Sequence, residues 1–228
     1  MYFIYLVPKM LYAPPRWLQA LTAGFLVWRL PSGDKKIYLT FDDGPDPGVT
    51  EKVLKILAPY NASATFFMSG KNARAHPRLV ETILSGGHTP GNHGWEHCSG
   101  WKTNTRNYIE NVEKAAQITS AQLFRPPYGR IWPWQARALR KRGYQIVLWT
   151  VLSRDYEALT DPAATLQRLI SLTGDGSIVL FHDSAKAEKN CLFMLEGMLR
   201  YFSGQGYSFE ALPVTQKPGP SGQASANY

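Results

Sequence analysis

Cysteine is scarce in this chain: Cys98 and Cys191 stand far apart in 228 residues, with no Cys-x-x-Cys ligand pair between them. Sequence alone cannot pair them, and two free, buried thiols are the expectation, which leans toward a reducing compartment. Any apolar run long enough to span a bilayer is missing as well. The longest, Leu21 to Leu30, is too short and contains Arg29, and Pro8, Pro14 and Pro15 interrupt what precedes it. No early basic region is followed by an uninterrupted apolar core and a small-residue cleavage site, so no export signal is legible. Cytoplasm and cell envelope both stay open as locations. Nor is there a long block of one charge. The net charge is +8, but the basic residues are scattered. Their densest group, Arg137, Arg140, Lys141 and Arg142, falls on a predicted helix, where a solvated face is expected rather than a nucleic-acid site.

What is present suffices for one α/β domain with a substantial core, at 44% hydrophobic residues. Residues 1–35 read as an apolar extension packed on that domain, with peripheral membrane contact as a further reading. Residues 36–212 form the domain, and the Pro-, Gly- and Ser-rich stretch 213–228 reads as a disordered tail. Within the domain, strand-like runs at Ile37–Phe41, Ala64–Met68, His88–Asn92, Tyr144–Thr150 and Ser177–Phe181 alternate with helix-like ones. The helical runs are Thr50–Tyr60, His76–Leu84, Asn107–Ile118, Trp134–Lys141, Pro162–Leu172 and Glu188–Phe202. Such alternation predicts βα units and a mainly parallel sheet, open or closed.

In these folds reactive groups gather where strands end. The first strand delivers Asp42 and Asp43 into a Gly44-Pro45 turn. Adjacent carboxylates beyond a strand end can serve one site in two roles, metal ligand and proton acceptor, although Asp-Gly also makes an ordinary turn. His93 and His97 follow the third run, four apart, and with one carboxylate would make a site for zinc or another divalent metal. The same segment matches His-x-x-Glu-His, an inverted metalloprotease motif. That motif needs a regular helix, which Gly91, Gly94 and Gly100 disfavour, so Glu96 is assigned to the loop or solvent. His182 and Asp183 end the last run. His76 reads as a surface residue and His88 as a turn or core-edge residue. In Arg125-Pro126-Pro127-Tyr128-Gly129 the prolines stiffen the backbone and can fix the Tyr128 amide, as an oxyanion site requires, while Arg125 can orient a carboxylate.

Taken in order, Thr40-Phe41-Asp42-Asp43-Gly44, His93-x-x-x-His97, Arg125-Pro126-Pro127-Tyr128-Gly129, Ser153-Arg154-Asp155-Tyr156 and Leu180-Phe181-His182 resemble the five motifs of the polysaccharide deacetylases. This is the NodB homology domain, carbohydrate esterase family 4, and the likeness spans roughly residues 36–212. The resemblance implies a distorted (β/α) barrel and a hydrolase that removes N-acetyl groups from an N-acetylglucosamine-containing glycan, chitin-like or peptidoglycan-like. An O-acetyl esterase of the xylan type and a non-catalytic glycan-binding domain are the alternatives. By position it implies one divalent metal, zinc first with cobalt or nickel as alternatives, held by Asp43, His93 and His97. Asp42 would be the general base, oriented by Arg125. The Tyr128 amide would hold the oxyanion, and His182, supported by Asp155, would be the general acid. Leu180, Pro126, Trp101 and Tyr156 would contact substrate, with Leu180 lining the acetyl pocket. Trp95, Trp132 and Trp134 also fall near the motif loops. Three positions depart from the family pattern. Gly94 replaces a common Ser or Thr, which predicts a missing loop hydrogen bond. Tyr156 replaces Trp, and Leu152 replaces an acidic residue.

Overall fold

Strand β1 (Lys36–Asp42) is buried on both faces, which is why its apolar residues Ile37, Tyr38 and Leu39 are contiguous instead of alternating with polar ones. Its register places it at the centre of a parallel sheet, between β2 (Ala64–Met68) and β7 (Ile178–His182). A computed structural model describes residues 12–31, 33–159 and 161–214. Most of the expected tail, residues 215–228, and the start of the N-terminal extension lie outside the described residues. The sheet continues from β2 through β3 (Thr89–Asn92) and β4 (Leu123–Phe124) to β5 (Gln145–Ile146). On the other side of β1 it runs through β7 to β6 (Val151–Leu152), and β8 (Ser208–Phe209) pairs with the start of β1. All these pairings are parallel.

Helices cover the outer face: α2 (Thr50–Leu57), α3 (Gly70–Ala75), α4 (Pro77–Ser85), α5 (Thr105–Thr119), α6 (Pro133–Lys141), α7 (Pro162–Leu172) and α8 (Glu188–Gly204). Local sequence sets several of their starts. Asn104 caps α5 by accepting from the Asn107 N–H at 2.9 Å, and Asp161 caps α7 by accepting from Ala164 at 2.8 Å. Pro162 then occupies the first turn, where its missing N–H costs nothing. Beneath the helices, Ile37, Leu39 and Phe41 of β1 join Val53, Leu57, Phe66, Phe181, Leu195 and Leu199 in the main core. The opposite face of the sheet curls around a smaller core that includes Tyr38, Phe67, Leu123, Val147 and Ile178. Two layers packed from one curved parallel sheet are the distorted (β/α) barrel expected from the motifs.

One expectation fails in its detail. Tyr144–Thr150 is not a single strand: only Gln145–Ile146 of it is strand, β5, while β6 begins just past it, and the two pair with opposite ends of the sheet. Between them the sheet does not close on itself among the described residues, and the chain before β1 occupies the seam. There Val27 donates to the Ile146 carbonyl at 2.8 Å, Leu148 donates to Val27 at 2.7 Å, and Leu30 donates to Gly176 at 3.0 Å. The Thr150 hydroxyl adds a bond to the Trp28 carbonyl at 2.6 Å. Upstream, α1 (Arg16–Thr22) packs Leu18 with Trp28 and Leu148. Strands β4 and β8 and helix α3 were not legible either. Two-residue strands and a six-residue helix are too short to carry a hydrophobic period.

Candidate active site

Strand register brings the site together. Asp42 lies beside His182, one layer above the pair Thr40 and Leu180, so these four side chains share the inner face of β1 and β7. His93 follows the end of β3 and Arg125 the end of β4, and the Arg125 N–H donates to the Asn92 carbonyl at 3.0 Å. Four strand ends therefore meet at one mouth.

Arg125 is fully buried, its guanidinium 4.1 Å from the centre of the Phe67 ring. One of its nitrogens, Nη1, donates to Asp42 Oδ1 at 2.8 Å and to the Thr40 hydroxyl at 2.7 Å. Nη2 and Nε donate to the carbonyls of Leu148 at 2.9 Å and Val147 at 3.3 Å. A buried guanidinium survives only with such a complete set of acceptors. The pair holds Asp42 rigidly and leaves its second oxygen, Oδ2, 3.7 Å from His93 Nε2.

Asp43, His93 and His97 each point one donor atom into a common space, the three within 4.8 Å of one another. His97 Nε2 is 3.2 Å, and His93 Nε2 3.7 Å, from Asp43 Oδ1. The donor set fits a divalent cation: two imidazoles and a carboxylate with room for further ligands. His93 is also in the tautomer a ligand needs. Its Nδ1 sits 2.8 Å from the Arg125 carbonyl, which can only accept, so Nδ1 carries the proton and Nε2 the lone pair. Burial pushes the His93 pKa down and keeps the ring neutral. Burial works the other way on Asp43, but the His97 hydrogen bond and the neighbouring histidines hold its carboxyl well below the usual range.

The loops that aim these residues use strained backbone. Asp43, His97 and Tyr128 have φ of 82°, 54° and 60°, a region that suits glycine and persists when the surroundings enforce it. Around Asp43 that enforcement is visible. Asn72 donates to the Asp43 carbonyl at 2.8 Å. The Gly44 N–H donates to Asp183 Oδ1 at 3.1 Å, and the Thr50 hydroxyl to Asp183 Oδ2 at 2.5 Å. Asp183 presses so close that a Cβ on Gly44 would lie 2.0 Å from its oxygen, so only glycine fits. Burial raises the Asp183 pKa to about 8.

On the far side of Asp42, Asp155 receives His182 twice, from the backbone N–H and from Nδ1, each at 2.7 Å. Asp155 is itself fully buried. Burial opposes charge on the His182 ring, yet the Asp155 charge and hydrogen bond outweigh it and raise its pKa to about 9. The imidazole is thus a cation at neutral pH, with Nε2–H free of the Asp155 contact. The Tyr156 ring stands edge-on to it at 4.9 Å.

The Tyr128 ring meets His97 at 4.5 Å, and the hydrogen bonds of its turn come from Gly129 and Arg130, not from Tyr128. Pro126 is buried, and Arg130 lies between the Tyr128 and Trp101 rings. Trp132 packs near Trp101 and stacks on Trp134, whereas Trp95 is buried under the histidine loop. Glu96 points outward and pairs with Lys71 at 3.4 Å. His88 accepts from the Ala64 N–H at 3.1 Å, and His76 precedes α4. Cys191 is buried, but Cys98 is only partly so, a correction to the expected pair of buried thiols.

The polysaccharide deacetylase family profile matches residues 29–147, just over half of the chain. The chain belongs to the polysaccharide deacetylase family. It is 32% identical to a peptidoglycan-N-acetylglucosamine deacetylase of Bacillus cereus, over 82% of this chain and 90% of that protein. It is 33% identical to a chitooligosaccharide deacetylase of Azorhizobium caulinodans, over 81% of this chain and 96% of the other. Among solved structures, the peptidoglycan N-acetylglucosamine deacetylase Bc1960 superposes with a TM-score of 0.81 at 27% identity, covering 88% of this chain and 95% of that one.

Against the family pattern, the loop bond expected to be missing at Gly94 is supplied from elsewhere. Asn111 of α5 accepts from the Trp95 N–H at 2.8 Å, and its oxygen lies 2.7 Å from where a Gly94 Cβ would be. A side chain at position 94 and Asn111 in this pose exclude each other. The buried Asn92 holds the same loop by accepting from the Gly94 N–H at 2.8 Å. Asn92, Asn111, Asn72, Thr50 and Asp183 were not singled out as site residues, apart from the placing of Asp183 at a strand end. Their contacts reach across 2 to 139 positions of sequence and leave no local pattern to read.

Proposed function

We propose that this polysaccharide deacetylase removes acetyl groups from N-acetylglucosamine units of a glycan, with Asp43, His93 and His97 holding one divalent cation, zinc in the first instance. The observation that carries the reading is the single mouth at which a buried Asp42–Arg125 pair, a three-donor cluster and a charged His182–Asp155 pair face one another. The relatives support the sugar, since peptidoglycan and chitooligosaccharides both contain N-acetylglucosamine. When bound, such a cation supplies Lewis acidity, polarising the acyl carbonyl and lowering the pKa of a water in its shell to about 7 in favourable zinc sites.

The chain's own residues do the rest. Asp42 Oδ2, the oxygen not bonded to Arg125, takes the proton of the attacking water. The Tyr128 N–H donates to the oxyanion, where a preorganised donor acts most strongly. His182 Nε2–H gives its proton to the departing sugar amine, which otherwise leaves poorly, and Asp155 stabilises the imidazolium until then. Leu180, one layer below His182, floors the space for the acetyl methyl. Pro126, Tyr156 and Trp101 flank the sugar.

The deciding experiment is acetate release from chitooligosaccharides and from acetylated xylan, with and without a chelator. Release from the amide substrate, lost on chelation and restored by zinc or cobalt, is expected. Release from xylan alone would replace the reading with an O-acetyl esterase, and glycan binding without release would leave a binding domain.

Two further results are expected. The rate should fall with rising pH as His182 deprotonates, at or slightly below about 9, because a bound cation offsets the share contributed by Asp42 and Asp43. In Asp155→Asn the alkaline limb should move to or below the ordinary imidazole value of about 6.5, read from kcat/KM against pH. The linked stability has the same sign. It is present below about 6.5 and is lost as pH rises through about 9. Asn111→Leu should weaken divalent-cation affinity about 10–100-fold by calorimetry, whereas Asn111→Asp keeps the acceptor oxygen and most of the affinity.

A further inference from the structure

The chain ahead of Asp34 contains no aspartate or glutamate, carries Lys9, Arg16 and Arg29, and is rich in aromatic residues. Within it, α1 turns Leu18 inward and leaves Trp17, Leu21 and Phe25, spaced four apart, 49%, 63% and 56% exposed. Phe25 follows the helix in a turn fixed by its N–H to the Thr22 carbonyl at 2.8 Å. Cations surround this stripe. Arg16 and Arg29 are exposed, and partial burial, followed by the charge of Arg16, pushes the Arg29 pKa down. Arg140 of α6 lies 5.4 Å from the Phe25 ring and donates to the Gly24 carbonyl at 2.8 Å. Arg29 Nη1 donates to the Asp175 carbonyl, and the Asp175 carboxylate accepts from the backbone N–H groups of Gly33 and Lys36.

We propose that this face docks on an anionic lipid surface, with Trp17, Leu21 and Phe25 entering the interface and Arg16, Arg29 and Arg140 meeting the headgroups. Large apolar side chains bordered by arginines, in a stretch with no acid before Asp34, are the composition of interfacial, not spanning, segments. No helix of the described residues is long and apolar enough to cross a membrane. A second copy of the chain fits the face less well, because a two-fold contact would set each arginine cluster against its own image.

The full chain should co-sediment with vesicles of phosphatidylcholine and phosphatidylglycerol, more weakly with phosphatidylcholine alone, and less as salt rises. Leu21→Glu, at an exposed position that leaves the thermal midpoint unchanged, should lower partitioning at least about tenfold, and Trp17→Ser/Phe25→Ser should do the same. Absence of vesicle binding would overturn the proposal, as would unchanged binding by both variants. A vesicle-independent dimer that Leu21→Glu dissociates would overturn it in favour of self-association.

Discussion

Asp42→Asn is expected to cost about 10²–10⁴ in turnover while leaving cation affinity near its original value. The substitution is nearly isosteric and keeps an oxygen for the 2.8 Å bond from Arg125, so the mouth keeps its shape. What disappears is the basic oxygen, Oδ2, that faces the His93 side of the cluster. Single-turnover acetate release and calorimetric titration with zinc separate the two quantities. The result also tests how the Asp-Asp pair is divided. If Asp42 were the ligand and Asp43 the base, Asp42→Asn would lose the cation and Asp43→Asn would keep it.

Arg125→Met should produce the largest loss of stability of any single change at the site, about 3–5 kcal/mol by denaturant unfolding. The replacement fills much of the same volume. It strands the Asp42 carboxylate, 3% exposed, without a counter-charge, and it leaves the Val147 and Leu148 carbonyls and the Thr40 hydroxyl without their donor. Asp42→Asn added to Arg125→Met should recover part of the loss, because removing both charges costs less than isolating one. Additive losses in the double variant would mean that the pair does not act as a unit.

Both experiments target residues that could be picked out from the sequence, and the reason is local. Asp42, Asp43, His93, His97, Arg125 and His182 each sit at or just past the end of a strand, and an apolar run followed by a polar residue marks such an end in one dimension. The alternation of the longer strands and helices, and with it a mainly parallel sheet, was legible from the same hydrophobic runs. The supporting groups were not. Asn111 reads as one polar residue on a helix until the fold sets its oxygen against the Trp95 N–H. Tyr144–Thr150 reads as one strand because its residues are β-formers, and nothing in that stretch reveals that the sheet parts there and accepts Val27. The (β/α) barrel was implied by the resemblance of the motifs; its seam was not.

That seam makes the segment before β1 part of the site's electrostatics. Leu148 gives its N–H to Val27 and its carbonyl to Arg125, and Arg125 in turn fixes Asp42. A single residue thus links the N-terminal segment to the charge balance of Asp42. A chain trimmed to begin at β1 would lose the partners of residues 146–148 and Gly176, and it would present raw sheet edges of the kind that pair with other chains. The shortest sequence containing every motif residue is therefore not the shortest unit that holds Asp42 in place.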